Sequence, residues 1–559
     1  MIIGLDVGGT HADVVLLGNE GVLNELKVPT DPADLFQTVL TGLEGIIAGV
    51  QPDGIIRMVM STTLTTNAII QKKLPAVGMI VSSGPGIDPE FYRTNEHYRA
   101  VSGSIDHRGR EVVPVDAGEI RDIRRHFLAA GIRHVGVVTK FSVRNPQQEV
   151  EIARLLGDGF EKIFLGHRIS GNLSFPRRIA TTYLNAAVYP LHRDFFQAVQ
   201  RSLVQKGLTM PIRILKADGG NMNFEASIDY PAQTIFSGPA ASVMGSIAFA
   251  PEDEEALVLD IGGTTTDMAV LINQVPLLDP IGVELGEFKT LIRALKTHSV
   301  GLGGDSAVRA VDGTILVGPE RHGPAMAHGG PTPTPTDALV ILGRTKHGDA
   351  ALARQGFAPL AAQLGLSVEA AAEKVFDRTC RLILQESAGM IQRINSQPVY
   401  TVHEMQEGRQ VKPTTLLVLG GPAPQFAAHL ETLSPYKVGV VPRWEVANAL
   451  GAALARTTSE VILYADTQRR IATAPEENFT TEVDRGFSSE DAVKMALRLL
   501  REKAVARGAN PEHLEMEVTE NLQFNMVRGF NTTGKNIRVR VQVKPGLIHG
   551  YDPIAGRLI

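Results

Sequence analysis

Two short strings in this chain share a pattern suited to anion binding. Leu5-Asp6-Val7-Gly8-Gly9-Thr10-His11-Ala12-Asp13 recurs as Leu259-Asp260-Ile261-Gly262-Gly263-Thr264-Thr265-Thr266-Asp267, an offset of 254 residues (6 to 260). Adjacent glycines let backbone N–H groups approach an anion closely, and a following Thr hydroxyl adds a donor. Gly8, Gly9 and Thr10, together with Gly262, Gly263, Thr264 and Thr265, therefore read as two halves of a phosphate cradle. One such string alone is equally an ordinary turn. A facing pair would clamp the β- and γ-phosphates of a nucleotide from both sides. Asp6 and Asp260, at the strand ends, are then expected to hold Mg²⁺ through water, because this small hard ion keeps much of its hydration. Asp13 and Asp267, seven residues further on, could orient water or metal, or cap their own turns.

A third glycine turn follows an apolar strand at Leu416-Leu417-Val418-Leu419-Gly420-Gly421-Pro422. Without side chains, Gly420 and Gly421 can pass under a flat heterocycle, so they are expected to contact adenine and ribose. Val446 to Leu454 is a helix of mostly small residues, either a close crossing on which two lobes hinge or a generic buried helix.

The elements that must position these residues follow from pattern. Each Asp-x-Gly-Gly-Thr turn lies between apolar strands, so each reads as a β-hairpin opening an α/β lobe, and two lobes imply a cleft. The first lobe is expected over 1–175, with a capped helical segment at Ser61 to Leu74, strands at Val77 to Ser82 and His134 to Thr139, and a helix at Ala117 to Ala130. The second is expected over 176–456, with Pro331 to Thr336 as an extended loop. Residues 457–559 read as an appended α+β unit. Its one clear helix begins near Ser488, is followed by Gly508, and sets Val493, Leu497, Leu500 and Ala504 on one face.

Composition bounds the function. The 559 residues suggest about three or four packed units. Apolar residues at 43% and charged residues at 21% exclude a disordered or fibrous chain. Lys plus Arg (55) against Asp plus Glu (60), with no basic run, leaves no footprint for nucleic acid. The apolar segments fall short of a membrane span, and the chain starts directly in a strand, so a cytoplasmic location is expected. The single cysteine, Cys380, sits in a helical stretch and reads as an inert core thiol.

The order of parts, phosphate hairpin, second phosphate hairpin, adenosine turn and connecting helix, resembles the actin-like (ribonuclease H-like) ATPase superfamily. More narrowly, the chain resembles the ATP-binding A-type subunit of the hydantoinase/oxoprolinase family. The strings that carry this are Ser61-Thr62-Thr63-Leu64-Thr65-Thr66-Asn67-Ala68, Asn145-Pro146-Gln147-Gln148-Glu149, Thr181-Thr182-Tyr183-Leu184-Asn185-Ala186, Ser237-Gly238-Pro239-Ala240-Ala241, Leu259 to Asp267, Pro335-Thr336-Asp337-Ala338 and Gly420-Gly421-Pro422, spread over 1–455. The resemblance implies two actin-like lobes around a nucleotide cleft. It implies ATP and Mg²⁺ as cofactors, and activation of a cyclic amide (a hydantoin, 5-oxoproline or other lactam) or a ketone by phosphorylation of its carbonyl oxygen. A B-type subunit is implied as a partner, and homo-oligomerisation is left open. Thr62, Thr63, Thr66 and Asn67, at a helix start, would line the cleft beside the γ-phosphate; Thr63 and Asn67 join Asp6 and Asp260 as the catalytic set, with N-capping as their alternative role. Ser237 to Ala240 would be a further cleft loop or an ordinary turn.

Several positions depart from the family pattern. Gly301-Leu302-Gly303-Gly304-Asp305-Ser306 stands where relatives carry a Gly-Gly-Gly-Ser run. Gly303 and Gly304 remain phosphate-binding candidates, while Asp305 must either help hold Mg²⁺ or point away. His322 and His328 do not have a diagnostic zinc spacing. In Asp106-His107-Arg108-Gly109, Arg108 could bind a carboxylate or phosphate and His107 relay a proton, although a surface turn explains the string as well. Two further functional classes fit the same fold: a small-molecule kinase that releases its phosphorylated product, and a non-catalytic ATP switch or assembly protein.

Overall fold

Both Asp-x-Gly-Gly-Thr strings turn a hairpin between buried strands, Ile2–Val7 with His11–Gly18 and Glu255–Ile261 with Thr266–Ile272. The computed structural model describes residues 1–31, 33–51, 54–279, 281–396 and 410–550. In each lobe the first hairpin strand pairs in parallel with the strand that follows in the sheet, Arg57–Thr62 in the first lobe and Thr415–Leu419 in the second. The first sheet runs, edge to edge, Asn221–Asn223, Ile212–Leu215, Arg57–Thr62, Ile2–Val7, His11–Gly18, Gly21–Pro29. The second runs Val275–Pro276, Thr266–Ile272, Glu255–Ile261, Thr415–Leu419, Lys437–Val440. The internal repeat in the sequence is thus a repeat of topology.

The expected end of the first lobe at residue 175 leaves out two of its strands. Residue 175 begins the 31-residue helix Phe175–Gln205, and the chain then returns to the first sheet at Ile212–Leu215. Between Arg57–Thr62 and that return lies an inserted parallel sheet, ordered Lys162–Leu165, His134–Thr139, Val77–Ser82, Tyr98–Ala100. A further correction concerns Ser61 and Thr62. They end a strand, and the helix, Leu64–Ile70, starts later and is shorter than its polar-to-apolar pattern suggests.

Two helices cross between the sheets. Ser237–Ile247 and Ala447–Leu454 approach so closely that a methyl on Gly451 would lie 2.0 Å from the Ala241 carbonyl oxygen, and one on Gly245 would lie 2.1 Å from that of Ala447. The small-residue helix is therefore the close crossing. The core around it draws Val15 and Val59 from the first lobe, Val258 and Leu419 from the second, and Ala241 and Leu450 from the crossing helices.

Residues 457–550 combine one sheet with a covering helix in an α+β arrangement, and 551–559 lie outside the described residues. Its sheet is ordered Phe479–Glu482, Ile471–Ala474, Glu460–Asp466, Asn531–Val543, Met516–Arg528. The helix Ser489–Ala506 covers it, and Ser488 forms a capping box with Asp491. Its inward residues are Ala492, Ala496, Leu499, Leu500 and Ala504, so the face is turned slightly from the expected one and leaves Val493 and Leu497 at its margin. Pro331 to Thr336 is only partly a loop, because Thr334 caps the helix Pro335–Ile341 in a second capping box with Asp337. Cys380 is fully buried in Val368–Ser396, and burial pushes its thiol well above the ordinary range, as an inert thiol requires. Among the described residues no helix is long and apolar enough to cross a membrane.

One buried histidine sets a pH limit on the first lobe. His192 lies on Phe175–Gln205, packs its ring 4.7 Å from that of Phe196, and has Nε2 2.8 Å from Ser227 Oγ. Since Ser227 donates its own proton to the Phe224 carbonyl, the imidazole is the donor and is neutral. Burial lowers its pKa to about 3. The unfolded chain therefore binds the extra proton first, so stability is complete above the unfolded value of 6.5 and falls as pH drops towards the folded one. From pH 7 to 5 this costs about 2 kcal/mol. His192→Gln, which keeps a donor for Ser227, should lose correspondingly less in thermal melts over that interval; parallel losses in the two proteins would refute the assignment.

Candidate functional site

Each hairpin is closed by one turn hydrogen bond, Gly8 N–H to His11 O (3.0 Å) and Gly262 N–H to Thr265 O (2.9 Å). Among the described residues, the N–H groups of Gly9, Thr10, Gly263 and Thr264 donate to no backbone carbonyl, and Gly9, Thr10 and Thr264 are exposed. The turns are braced from behind. Thr30 Oγ1 donates to Gly8 O (3.0 Å) in the first lobe. In the second, the N–H groups of Gly304 and Asp305 donate to the carbonyls of Gly262 (2.9 Å) and Gly263 (2.7 Å). Two pairs of unspent amides on supported turns suit an oligophosphate.

That bracing corrects the reading of Gly303 and Gly304 as direct phosphate ligands. The Gly304 amide is spent on the hairpin and the Gly303 amide on Ser306 Oγ (2.8 Å). Asp305 pairs with Arg321 (3.1 Å) instead of joining the other aspartates. His322 and His328 are both exposed, and among the described residues no three His, Cys, Asp or Glu side chains are arranged to hold a metal directly.

The hairpin register places the aspartates in cross-strand pairs, Asp6 opposite Asp13 and Asp260 opposite Asp267. Like charges so placed repel. Asp13 is offset by Lys27 Nζ at 2.8 Å, whereas Asp6 Oδ1 and Asp267 Oδ1 are buried without a hydrogen-bond partner. Burial pushes Asp6 up to about 7, opposed by the polar side chains of Ser61 and Asn448 and reinforced by the charges of Asp13 and Asp260. Asp267 rises to about 7, again from burial first and Asp260 second. Asp13 and Asp260 are raised by the same burial. Crowded carboxylates with unpartnered oxygens fit a hydrated divalent cation better than a directly liganded one.

Two side chains that the sequence reading missed join the lobes. Asn448 Nδ2 donates to Asp6 Oδ2 (3.3 Å); Ser242 Oγ lies 2.5 Å from Asp260 Oδ2 and 3.2 Å from Asn448 Oδ1. A chain of polar contacts thus runs from one hairpin to the other across the crossing helices. The available signal was Asn448 itself, the one polar residue within Ala447–Leu454.

Beside the hairpins lies a cavity of roughly 790 Å³ lined by Thr63, Asn67, Gly238, Thr265, Asp267 and His298, among others. Thr63 Oγ1 reaches the Val7 carbonyl (3.3 Å) and accepts from Asn67 Nδ2 (3.2 Å). Thr63 stands at the N-cap of Leu64–Ile70 but makes no side-chain capping bond, and the Leu64 N–H is taken by Thr62 Oγ1 (3.1 Å), so the Thr63 and Asn67 side chains line the cavity wall. Thr66 Oγ1 accepts from Phe236 N–H, and Phe236 takes a left-handed φ of 63°, an unusual conformation for a bulky residue, which sets Gly238 and Pro239 on the cavity wall.

Gly420 and Gly421 differ from each other. Gly420 has φ 94°, and a methyl there would meet the Ile261 carbonyl at 2.3 Å and Asp260 Oδ1 at 2.7 Å, so it serves close approach to the second hairpin. Gly421 has nothing within 4 Å and offers an open backbone surface.

A methyl on Gly9 would likewise meet nothing within 4 Å. Gly9→Ala should leave the thermal midpoint unchanged and yet weaken ATP binding about tenfold, or ~1.4 kcal/mol, by obstructing the cradle. Calorimetric titration showing unaltered affinity would remove Gly9 from the site.

Residues 178–461 match the sequence model of the hydantoinase/oxoprolinase family, and residues 2–158 match that of the hydantoinase/oxoprolinase N-terminal region. Similar proteins include the caprolactamase subunit alpha of Pseudomonas jessenii, 24% identical across 90% of this chain and 75% of that one. The acetophenone carboxylase gamma subunit of Aromatoleum aromaticum is 26% identical across 94% and 77%. The 5-oxoprolinase 1 of Arabidopsis thaliana is 24% identical across 94% of this chain but only 46% of its own length. Among solved structures, nucleotide-free acetone carboxylase aligns over 99% of this chain and 88% of its own, with TM-score 0.72 and 17% identity. The ATP-dependent caprolactamase of Pseudomonas jessenii aligns over 97% and 87%, with TM-score 0.70 and 18% identity. These two share the fold over nearly all of this chain, and the matched sequence models span both lobes. The chain belongs to the hydantoinase/oxoprolinase family.

Proposed function

We propose that this chain is the ATP-binding subunit of an enzyme that hydrolyses a small cyclic amide, activating the substrate by phosphorylating its carbonyl oxygen. The observation that carries the reading is the polar bridge Asp6–Asn448–Ser242–Asp260, which joins two glycine hairpins with unspent amides beside a cavity of substrate size. The relatives named caprolactamase and 5-oxoprolinase favour a lactam; the acetophenone carboxylase relative keeps a ketone as the second substrate class. Release of a stable phosphorylated product, as by a kinase, and a non-catalytic switch have no counterpart among these relatives.

In this reading the amides of Gly9, Thr10, Gly263 and Thr264 hold the phosphates, and Gly421 offers backbone to the adenosine. Thr63 and Asn67 orient the substrate oxygen from the cavity wall. Asp267 faces the same cavity and would position water. Asp6 and Asp260 would hold Mg²⁺ through water, and that ion would supply charge neutralisation for the transferred phosphoryl group. Phosphorylation makes the amide carbon electrophilic enough for water to add there; the C–N bond then breaks, the ring nitrogen leaves as an amine, and a second water hydrolyses the resulting acyl phosphate to the acid and inorganic phosphate. A B-type subunit is proposed for that ring-opening step, in keeping with the subunit names of two relatives.

The test is ADP release over a panel of lactams, hydantoins, 5-oxoproline and simple ketones, with and without the candidate B-type partner, with products identified by mass. A lactam or hydantoin that stimulates ADP release and appears as the ring-opened acid is the expected result. Stimulation by no carbonyl compound under either condition would overturn the reading.

A further inference from the structure

A second polar cavity, of roughly 420 Å³, lies between the inserted unit of the first lobe and the C-terminal sheet. Arg108, Arg110 and Arg144 line it from the first lobe, and Tyr464, Asp466 and Arg469 from the C-terminal unit. Four guanidinium groups therefore converge on a space whose lining holds a single carboxylate.

The turn that presents Arg108 is built for its position. Asp106 Oδ1 accepts the N–H groups of Arg108 and Arg110 (2.9 Å each), and Asp106 Oδ2 pairs with the Arg110 guanidinium (2.7 Å). Gly109 takes φ 78°, and a methyl on it would come within 2.7 Å of Arg469 Nη1 and 3.0 Å of the Arg144 carbonyl oxygen. Close packing thus brings three arginine-bearing segments together. Arg469 donates to the Arg108 carbonyl, which leaves both guanidinium charges uncompensated by that contact.

Arg144 is the inner wall. Its guanidinium stacks 4.5 Å over the Tyr464 ring, which is itself fixed by its hydroxyl donating to the Gly171 carbonyl (2.8 Å). Arg144 Nε is shielded from solvent and has no hydrogen-bond partner. Among the described residues neither Arg108, Arg144 nor Arg469 forms an ion pair with a carboxylate. The Asp466 carboxylate caps the Arg469 N–H (3.0 Å), and the neighbouring Arg538 is already paired with Glu520 (2.7 Å). Burial makes Arg144 a weaker base than usual; Tyr464 and Asp466 oppose this, and Arg538 and Arg469 add to it. Like charges from two structural units face one another here with Asp466 as the one lining carboxylate, an arrangement that an anion would stabilise.

We propose that this cavity is a second anion site, in which Arg108, Arg144 and Arg469 receive a phosphoryl group, either free or carried by a small molecule, and clamp the inserted unit to the C-terminal sheet. Three planar guanidinium forks from three chain segments match a dianion with three terminal oxygens better than a two-oxygen carboxylate. The volume exceeds what a lone phosphate needs and leaves room for the remainder of a monoester. The site is separate from the glycine hairpins and does not depend on the function assigned to them.

Calorimetric titration and thermal melts of the full chain, at constant ionic strength, with and without saturating AMPPNP and Mg²⁺, test this. The probes are inorganic phosphate, glycerol phosphate and malonate. Phosphate or glycerol phosphate should bind and raise the thermal midpoint in both conditions. The double variant Arg108→Gln/Arg469→Gln alters exposed side chains and should fold normally while weakening that binding about tenfold or more, as should Arg144→Met. Tighter binding of glycerol phosphate identifies a phosphorylated metabolite as the ligand, whereas equal binding identifies free phosphate. Malonate binding as tightly as both phosphoryl probes, no binding of either phosphoryl probe, or binding untouched by the double variant would each overturn the proposal.

Discussion

Asp260→Asn is expected to lower ATP turnover about 10²- to 10³-fold, on the scale of losing one main electrostatic contact to a charged transition state. The asparagine keeps the shape and can donate its amide to Ser242 Oγ, which leaves the Ser242 proton for Asn448 Oδ1, so the bridge through Asn448 to the first hairpin can persist. What disappears is the negative charge that would attract the nucleotide's cation. The same change removes a carboxylate that burial has pushed towards protonation, so the folded protein should be as stable as the original or more so. Turnover measured as ADP release, beside a thermal melt, separates the two effects. A variant that retains turnover within about threefold would refute a role for Asp260 in holding metal. A variant that loses turnover only because it melts early would contradict the electrostatic account of the site.

Gly451→Ala should be among the most destabilising single-methyl changes in the chain. The added carbon would sit 2.0 Å from the Ala241 carbonyl oxygen and 2.4 Å from the Gly245 nitrogen, both backbone atoms of the other crossing helix. Backbone cannot rotate aside as a side chain can, so the helices must separate. Overpacking of this kind costs about 3 kcal/mol or more. Because Asn448 lies on the same helix, separation also pulls apart the contacts between the hairpins, and ATP binding should weaken in parallel. Gly421→Ala is the control, since nothing lies within 4 Å of the added carbon. Denaturant midpoints should fall for Gly451→Ala and stay unchanged for Gly421→Ala; equal midpoints would mean that the crossing is looser than the geometry indicates.

The expectations that survived share a physical basis in local chemistry. Twin hairpins were legible because two glycines and a threonine between apolar strands leave the backbone few alternatives. The helix after Ser488 was legible from its capping residues, although a rotation of its inward face moved Val493 and Leu497 to the edge of the core. Boundaries that depend on long-range pairing were not legible. Ile212–Leu215 joins the first sheet only because the chain returns to it after Phe175–Gln205, a return that no local pattern announces.

The site divides in the same way. Sequence alone determined which groups are available: four aspartates, two Gly-Gly hairpin turns with a third Gly-Gly turn after Leu419, and the Thr and Asn residues at the start of a helix. Tertiary structure decided which of them are free to act. It spent the Gly303 and Gly304 amides on bracing and paired Asp305 with Arg321. It also brought Asn448 and Ser242, some 200 residues apart (242 to 448), into one bridge between the hairpins. The reason is that a residue's type and its immediate neighbours set its hydrogen-bonding capacity, whereas the partner that uses that capacity is supplied by whatever segment the packing of helices and sheets brings within about 3 Å.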